Sequence, residues 1–201
     1  MLTAYQKVGY GSAMDTREHI LQTAQRLVQQ RGFNGFSYAD IAEEVGVRKA
    51  SLHHYFPSKT DLGMALVDGF SAAVGDAMDA IGKSGKPADE KLRAYVGLFR
   101  GALKADRMCL CGMLSSEALT LDAVMLPKLK RFFVRNTEWL TEVMVEGKTQ
   151  KLFALSGSAA DHARILLSSL QGSLLIARST GDHDAFDQTA ALLISSLMRK
   201  G

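Results

Sequence analysis

The residues best suited to chemistry are concentrated between positions 46 and 60. This stretch contains three cations (Arg48, Lys49 and Lys59) and two histidines (His53 and His54), but no acidic residue. Cationic side chains attract phosphate groups, so this local excess of positive charge predicts a surface that binds a polyanion. The whole chain has a formal net charge of only +3. The prediction therefore depends on where the charges lie and not on their sum.

Two cysteines, Cys109 and Cys111, form a second candidate site. Three roles stay open for them. Free cysteines commonly pack as small hydrophobic residues, whereas a thiolate near a cation such as Arg107 can sense oxidants or electrophiles. A zinc site would need further ligands, for example His162 or His183, because two cysteines do not complete a tetrahedral shell. We predict no metal.

The sequence offers no catalytic motif and no cofactor motif. A Gly-rich phosphate loop, a His-Glu-x-x-His pair and a nucleophile elbow are all missing from the 201 residues. With 47% hydrophobic and 22% charged residues the composition is that of a globular protein. No apolar run approaches the ~20 residues of a membrane span. We therefore expect a cytoplasmic protein that is not an enzyme, binds no cofactor and does not enter a membrane.

Capping signals show which elements must position the basic residues. A capping box pairs a polar N-cap residue with a second polar residue three positions later. Three such pairs occur: Asp15 with Glu18, Ser37 with Asp40, and Ser58 with Asp61. Glycines at 32 and 46 then end the first two helices. The pattern predicts a helix-turn-helix whose second helix carries the basic residues, followed by a long helix over about 58–81. A three-helix bundle that does not touch DNA is the alternative.

The rest of the chain reads as helices only, over about 88–105, 109–121, 127–147, 158–179 and 182–199. The predicted fold class is all-α, with an N-terminal three-helix helix-turn-helix domain and a second, helical-bundle domain. The predicted boundaries are 1–14 for a flexible arm, 15–62 for the DNA-binding domain and 63–201 for the regulatory domain. Translation can start at Met1 or at Met14.

Two segments resemble the TetR family of transcriptional regulators (TetR/AcrR-like). They are ILQTAQRLVQQRGFNGFSYADIAEEVGV at 20–47 and KASLHHYFPSKTDL at 49–62, about a quarter of the chain. The resemblance implies a cytoplasmic repressor, nucleoid-associated when bound to double-stranded DNA at a near-palindromic operator. It also implies the following DNA-contacting residues: Arg17, Ser37, Tyr38, Arg48, Lys49, Ala50, Ser51, His53, His54, Tyr55 and Lys59. Arg48 and Ala50 depart from the family pattern, so operator specificity does not transfer, and Arg48 either contacts DNA or is solvated beside it.

The resemblance further implies a homodimer that releases its operator when a small apolar or electrophilic inducer binds. Small residues among the leucines of 166–177 favour a helix-helix dimer interface, with burial inside one protomer as the alternative. Candidate ligand or sensor residues are Cys109, Cys111, Phe99, Leu103, Phe132, Trp139 and Leu170; the aromatic ones can equally be core. A competing hypothesis is a DNA-bound protein of this fold whose C-terminal domain recruits a protein partner.

Overall fold

The computed structural model describes residues 15–199, and this part of the chain is almost entirely helical. Its α-helices are α1 (Thr16–Arg31), α2 (Tyr38–Val45), α3 (Lys49–Tyr55), α4 (Lys59–Gly82), α5 (Ala88–Lys104), α6 (Leu110–Ser116), α7 (Leu126–Thr149), α8 (Ala159–Thr180) and α9 (His183–Leu197). A 3-10 turn, Ala123–Met125, precedes α7. Phe153 and Met198 form an isolated antiparallel bridge. The predicted all-α fold is confirmed. The predicted arm at 1–14 lies outside the described residues.

The capping pairs begin the helices where the sequence predicts. At α2, the Ser37 amide donates to the Asp40 carboxylate at 2.7 Å and the Ala39 amide donates to the Ser37 hydroxyl. At α4, the Ser58 amide donates to Asp61 at 3.0 Å and the Asp61 amide donates to the Ser58 hydroxyl at 3.1 Å. These bonds satisfy N–H groups that the first helical turn leaves without partners.

One compact unit comprises residues 15–73 together with 107–132. In it α1 packs against α2 and α6, and α2 packs against α3. Its core consists of apolar side chains that are at most 3% exposed, among them Ile20, Leu27, Ile41, Leu52, Phe56 and Leu62. Residues 107–132 pack with the helix-turn-helix, which the domain boundary predicted at residue 62 does not include. This packing joins residues that lie far apart in the chain, so a local sequence pattern does not reveal it.

Polar contacts attach residues 107–120 to α1 and to the loop that follows it. The Gln29 side-chain amide donates to the Met108 carbonyl at 2.9 Å, and the Met108 amide donates to the Gln29 carbonyl at 3.1 Å. The Asn34 amide donates to the Glu117 carboxylate at 3.0 Å, and the Asn34 side chain donates to the Thr120 hydroxyl at 2.8 Å. The helix predicted over 109–121 therefore ends early, at Ser116, and 117–121 forms turns.

The second unit comprises residues 74–106 together with 133–199. Here α8 packs against α9, and both pack against α5. A largely buried ion pair joins α5 to α7, with the Lys91 ammonium 2.8 Å from the Glu146 carboxylate. No helix within residues 15–199 is both long and apolar enough to cross a membrane.

A substitution at Gly32 tests the contact between the α1–α2 loop and Glu117. Its φ of 82° and ψ of 166° fall in a region that is open essentially to glycine alone, and a Cβ there would overlap the Glu117 carboxylate. Gly32→Ala should lower the free energy of unfolding by about 1–3 kcal/mol, measured by urea denaturation. The control is Gly69→Ala on the exposed face of α4, where a Cβ meets nothing; it should be neutral or stabilise by up to about 1 kcal/mol. Equal effects of the two substitutions would contradict this account.

Candidate DNA-binding surface

Helix α3 turns one face inward and leaves the other exposed. Leu52 is fully buried and Phe56, just after the helix, is 3% exposed. The exposed side chains on and beside α3 are those of Arg48, Lys49, Ala50, His53 and His54; Ser51 and Tyr55 are half-buried. Arg48 is the N-cap residue and its side chain makes no capping hydrogen bond. The predicted recognition residues therefore share one end of the unit, with two cations and two imidazoles exposed.

Tyr38 points inward, unlike the contact residue that the resemblance implies. Its side chain is 6% exposed, and its hydroxyl lies 2.9 Å from the Phe56 carbonyl and 2.7 Å from the Ser58 carbonyl, sharing its proton between them. Burial, and then the negative charge of Asp61, raises the pKa of Tyr38 to about 12. Its side chain therefore positions the turn between α3 and α4.

Lys59 is also withdrawn from the surface. Its ammonium donates to the Phe36 carbonyl and lies over the rings of Phe33 and Phe36, at 4.9 and 4.3 Å from the ring centroids. Burial lowers the pKa of Lys59, against the opposing charges of Glu117 and Asp40. Lys59 therefore joins the start of α4 to the α1–α2 loop.

Arg17 and Ser37 lie at helix N-termini, as predicted. The exposed Arg17 guanidinium stacks on the Phe56 ring at 5.2 Å from its centroid. Ser37 is exposed, and its side-chain and backbone hydrogen bonds lower the pKa of Asp40. Arg17 therefore contacts the small core that supports α3, and Ser37 caps α2.

The predicted ligand and sensor residues fall into both units. Phe99, Leu103, Trp139 and Leu170 belong to the unit of 74–106 and 133–199, whereas Cys109, Cys111 and Phe132 belong to the other. Apart from Trp139, which is half-buried, all are at most 6% exposed.

Both cysteines are buried free thiols. Burial is the largest of the effects that raise the pKa of Cys111, and the charge of Cys109 adds to it, while a hydrogen bond with Ser71 acts in the opposite direction. A thiol with a raised pKa holds little thiolate, the nucleophilic form. Among residues 15–199 no cluster of three His, Cys, Asp or Glu side chains is arranged to hold a metal.

The unit of 74–106 and 133–199 contains a buried polar pair that was not predicted from the sequence. The Tyr95 hydroxyl donates to the Asn136 side chain at 2.8 Å, and both residues are at most 2% exposed. The Trp139 and Phe99 rings pack on Tyr95, each with a centroid distance of 5.5 Å. The signal for this pair is an asparagine within the apolar stripe of α7. On α8 of the same unit, the side-chain nitrogen of Gln171 is buried without an acceptor among the described residues.

Comparison with known proteins agrees with this geometry. The family described as "Bacterial regulatory proteins, tetR family" matches residues 20–66. A solved TetR-family transcriptional regulator from Agrobacterium tumefaciens is 33% identical, with a TM-score of 0.88 over 92% of this chain and 98% of that chain. The chain belongs to the TetR family.

Other relatives of this TetR-family chain also align over most of their length. A TetR transcriptional regulator from Legionella pneumophila is 27% identical, with a TM-score of 0.83 over 93% of this chain and all of that chain. The HTH-type transcriptional repressor NemR of Escherichia coli K12 is 25% identical over 88% of this chain and 91% of its own length. The chain is a helix-turn-helix transcriptional regulator that binds DNA.

Replacing Tyr38 tests its role in this TetR-family helix-turn-helix. Tyr38→Phe should lower the free energy of unfolding by about 1 kcal/mol near pH 8, because two carbonyls lose their donor. The folded protein keeps the Tyr38 proton up to about pH 12, whereas an unfolded tyrosine loses it near 10. The stability from this group is therefore present below pH 10 and lost as the pH rises to about 12.

The measurement is urea unfolding of both proteins from pH 8 to the highest pH at which unfolding is reversible. The difference between wild type and Tyr38→Phe should shrink above pH 10. Tyr55→Phe is the control, since the half-buried Tyr55 hydroxyl has no hydrogen-bond partner in the described part of the chain; its effect should stay below about 0.5 kcal/mol. A Tyr38→Phe variant as stable as wild type would refute the positioning role.

Proposed function

We propose that this protein is a homodimeric transcriptional repressor that binds a near-palindromic operator in the cytoplasm and leaves it when a small apolar inducer binds. The observation that carries the proposal is the exposed face of α3, with Lys49, His53 and His54 on a helix that is otherwise fixed by Leu52 and Tyr38. The similarity to the NemR repressor supports the direction of regulation.

Within this proposal the exposed cations contact phosphates and the rest of α3 reaches base edges. Phosphate contacts position a protein on DNA, and contacts to base edges specify sequence. Arg48 and Lys49 are exposed at the start of α3. The amide of Tyr38 at the start of α2 adds a second helix N-terminus to which a phosphate can bind.

An exposed apolar stripe on α8 and α9 supports the dimer. Ile165, Leu175 and Ile176 on α8 are 54%, 53% and 61% exposed, and Leu192 on α9 is 70% exposed. Gly172 lies on the same face of α8, and a Cβ there would meet nothing within 4 Å. Small residues let helices approach closely, and exposed apolar side chains gain free energy on burial. A dimer also presents two recognition helices to half-sites about 34 Å apart.

The aromatic cluster of the unit of 74–106 and 133–199 is the proposed inducer site. The rings of Tyr95, Phe99 and Trp139 offer stacking surfaces, and the Tyr95–Asn136 pair offers a hydrogen bond that a ligand can exchange. The buried Cys111 thiol, whose raised pKa leaves little thiolate, favours such a ligand over an electrophile. The inducer acts by its higher affinity for the conformation that does not bind DNA.

Substitutions at two lysines should distinguish an effect on DNA binding from an effect on stability. Lys49→Met should leave the unfolding free energy within about 0.5 kcal/mol but weaken binding to DNA on all sequences, and lower the salt slope by about one for each phosphate that is no longer neutralised. Lys59→Met should instead destabilise the protein by about 1–2 kcal/mol, because the Phe36 carbonyl is deprived of its donor, and leave the salt slope unchanged.

The measurement is fluorescence anisotropy with DNA that flanks the native gene, at several salt concentrations. Wild-type protein that binds this DNA no more tightly than random DNA would count against the proposed function. A reduced salt slope for Lys59→Met, with wild-type slope for Lys49→Met, would reverse the assignment of the two lysines.

The dimer is tested at the most exposed residue of the apolar stripe. Leu192→Asp should convert the dimer to monomer in sedimentation experiments, because it buries a charge in an apolar interface, and should weaken operator binding at least tenfold. Val145→Asp is the control: Val145 is 52% exposed on α7 of the same unit and lies outside the stripe, so this variant should stay dimeric. A monomeric wild type, or a dimeric Leu192→Asp, would refute this interface.

A further inference from the structure

Two neighbouring histidines on α3 have different surroundings. Both are exposed. The Nδ1 atom of His53 lies 3.2 Å from the Pro57 carbonyl oxygen, and the His53 ring packs on the Tyr38 ring with a centroid distance of 4.8 Å. His54 packs edge-on against Tyr55 and has no hydrogen bond within residues 15–199.

The Pro57 carbonyl determines which nitrogen of His53 carries the proton. A carbonyl oxygen can only accept a hydrogen bond, so Nδ1 must be the donor. A neutral imidazole has one N–H, and its other nitrogen then presents a lone pair. The Nε2 atom of neutral His53 is therefore an acceptor. It has no partner among the described residues, and the tautomer of His54 is not constrained in this way.

The partner of His53 is itself fixed. Tyr38 is buried, its ring contacts His53, and its hydroxyl bonds to the Phe56 and Ser58 carbonyls on either side of Pro57. The imidazole and the carbonyl that sets its tautomer are thus held by the same residue. The bond to Pro57 and the packing on Tyr38 both oppose a turn of the ring that would exchange its two nitrogens.

An acceptor and a donor read different groups on DNA. In the major groove the exocyclic amino groups of adenine and cytosine are donors, whereas the exposed edge of guanine presents only acceptors. Phosphate oxygens are acceptors as well. A neutral His53 whose Nε2 lacks a proton can bond to an amino group but not to a phosphate or to guanine.

We propose that His53 is a specificity-determining residue that accepts a hydrogen bond from the exocyclic amino group of an adenine or cytosine, through a tautomer fixed by Pro57. The inference rests on the proposed binding of DNA by α3. It assigns His53 to base recognition and separates it from Lys49, which contacts phosphate.

The tautomer is tested without DNA. Long-range proton–nitrogen NMR spectra of the full-length protein at about pH 8, where a histidine is largely neutral, should show His53 with a protonated Nδ1 and a pyridine-like Nε2. His53→Asn identifies its signals by their disappearance. A protonated Nε2 on His53 would overturn the proposal.

The base contact is tested with an operator obtained by selection from random double-stranded DNA. Single adenines and cytosines in each half-site are replaced by analogues that lack the amino group, purine for adenine and 2-pyrimidinone for cytosine. At one position the affinity of the wild type should fall about 3- to 10-fold, as expected for one hydrogen bond. His53→Asn keeps an amide near the place of Nδ1 but has no atom at Nε2, so it should bind the natural and modified sites equally.

His54→Asn is the matched control and should respond to the same analogue as the wild type does. Equal sensitivity of wild type and His53→Asn at every position would overturn the inference and leave the proposed function intact. So would weaker binding of His53→Asn to all sequences with a reduced salt slope, which indicates a phosphate contact. If the wild type selects no sequence, the proposed function fails, and this inference fails with it.

Discussion

The hydrogen bonds from the Tyr38 hydroxyl to the Phe56 and Ser58 carbonyls are the interaction on which the recognition surface depends. Helix α3 has seven residues and no side-chain cap, and so short a helix is not stable by itself in water. It persists because Leu52 and Phe56 are buried and because a hydroxyl from α2 fixes the turn that follows it. The direction of every exposed side chain on α3 follows from that turn.

The same unit fixes α1 and the loop after it by packing, by a buried hydrogen bond of the Gln29 side chain and by exposed hydrogen bonds of Asn34. The pair of hydrogen bonds between Gln29 and Met108, and those from Asn34 to Glu117 and Thr120, join α1 and its loop to residues 107–120. A hydrogen bond is strong where water is excluded, and a buried group left without its partner costs about 1–3 kcal/mol. A shift of 107–120 must therefore carry the α1–α2 loop with it or break these bonds.

The starts of α1, α2 and α4 could be predicted from sequence, because a capping box is a local signal. The inward faces of α1, α2 and α3 could also be predicted, since helical periodicity places Ile20, Ile41 and Leu52 on one side. The directions in which individual side chains point were harder to predict from the sequence than the starts and inward faces of the helices. Lys59 follows an N-cap serine, as a phosphate-binding lysine would, but its long side chain bends back to the Phe36 carbonyl. Nothing in the spacing of residues indicates that direction.

Contacts between residues far apart in the chain could not be predicted either, because residue spacing does not show which residues the fold brings together. Tyr38 looks like a surface residue at the start of α2, and only the fold brings the Phe56 and Ser58 carbonyls within reach of its hydroxyl. The early end of α6 depends on a bond between Glu117 and Asn34, which are 83 residues apart. A single sequence contains each partner but not the pairing.

The few available cations constrain how this regulator can recognise DNA. Arg26 is paired with Glu44 on α2, and Lys59 is directed to the Phe36 carbonyl and the phenylalanine rings. Arg48 and Lys49 are thus the exposed cations at α3 itself.

Phosphate contacts provide affinity that falls steeply with salt, and the two cations at α3 provide little of this affinity. Discrimination between operator and random DNA must then come from directional contacts. A hydrogen bond to a base edge is lost when the donor and acceptor are misaligned, whereas the attraction of a cation to a phosphate tolerates misalignment. That requirement explains why hydrogen bonds fix the orientation of so short a helix.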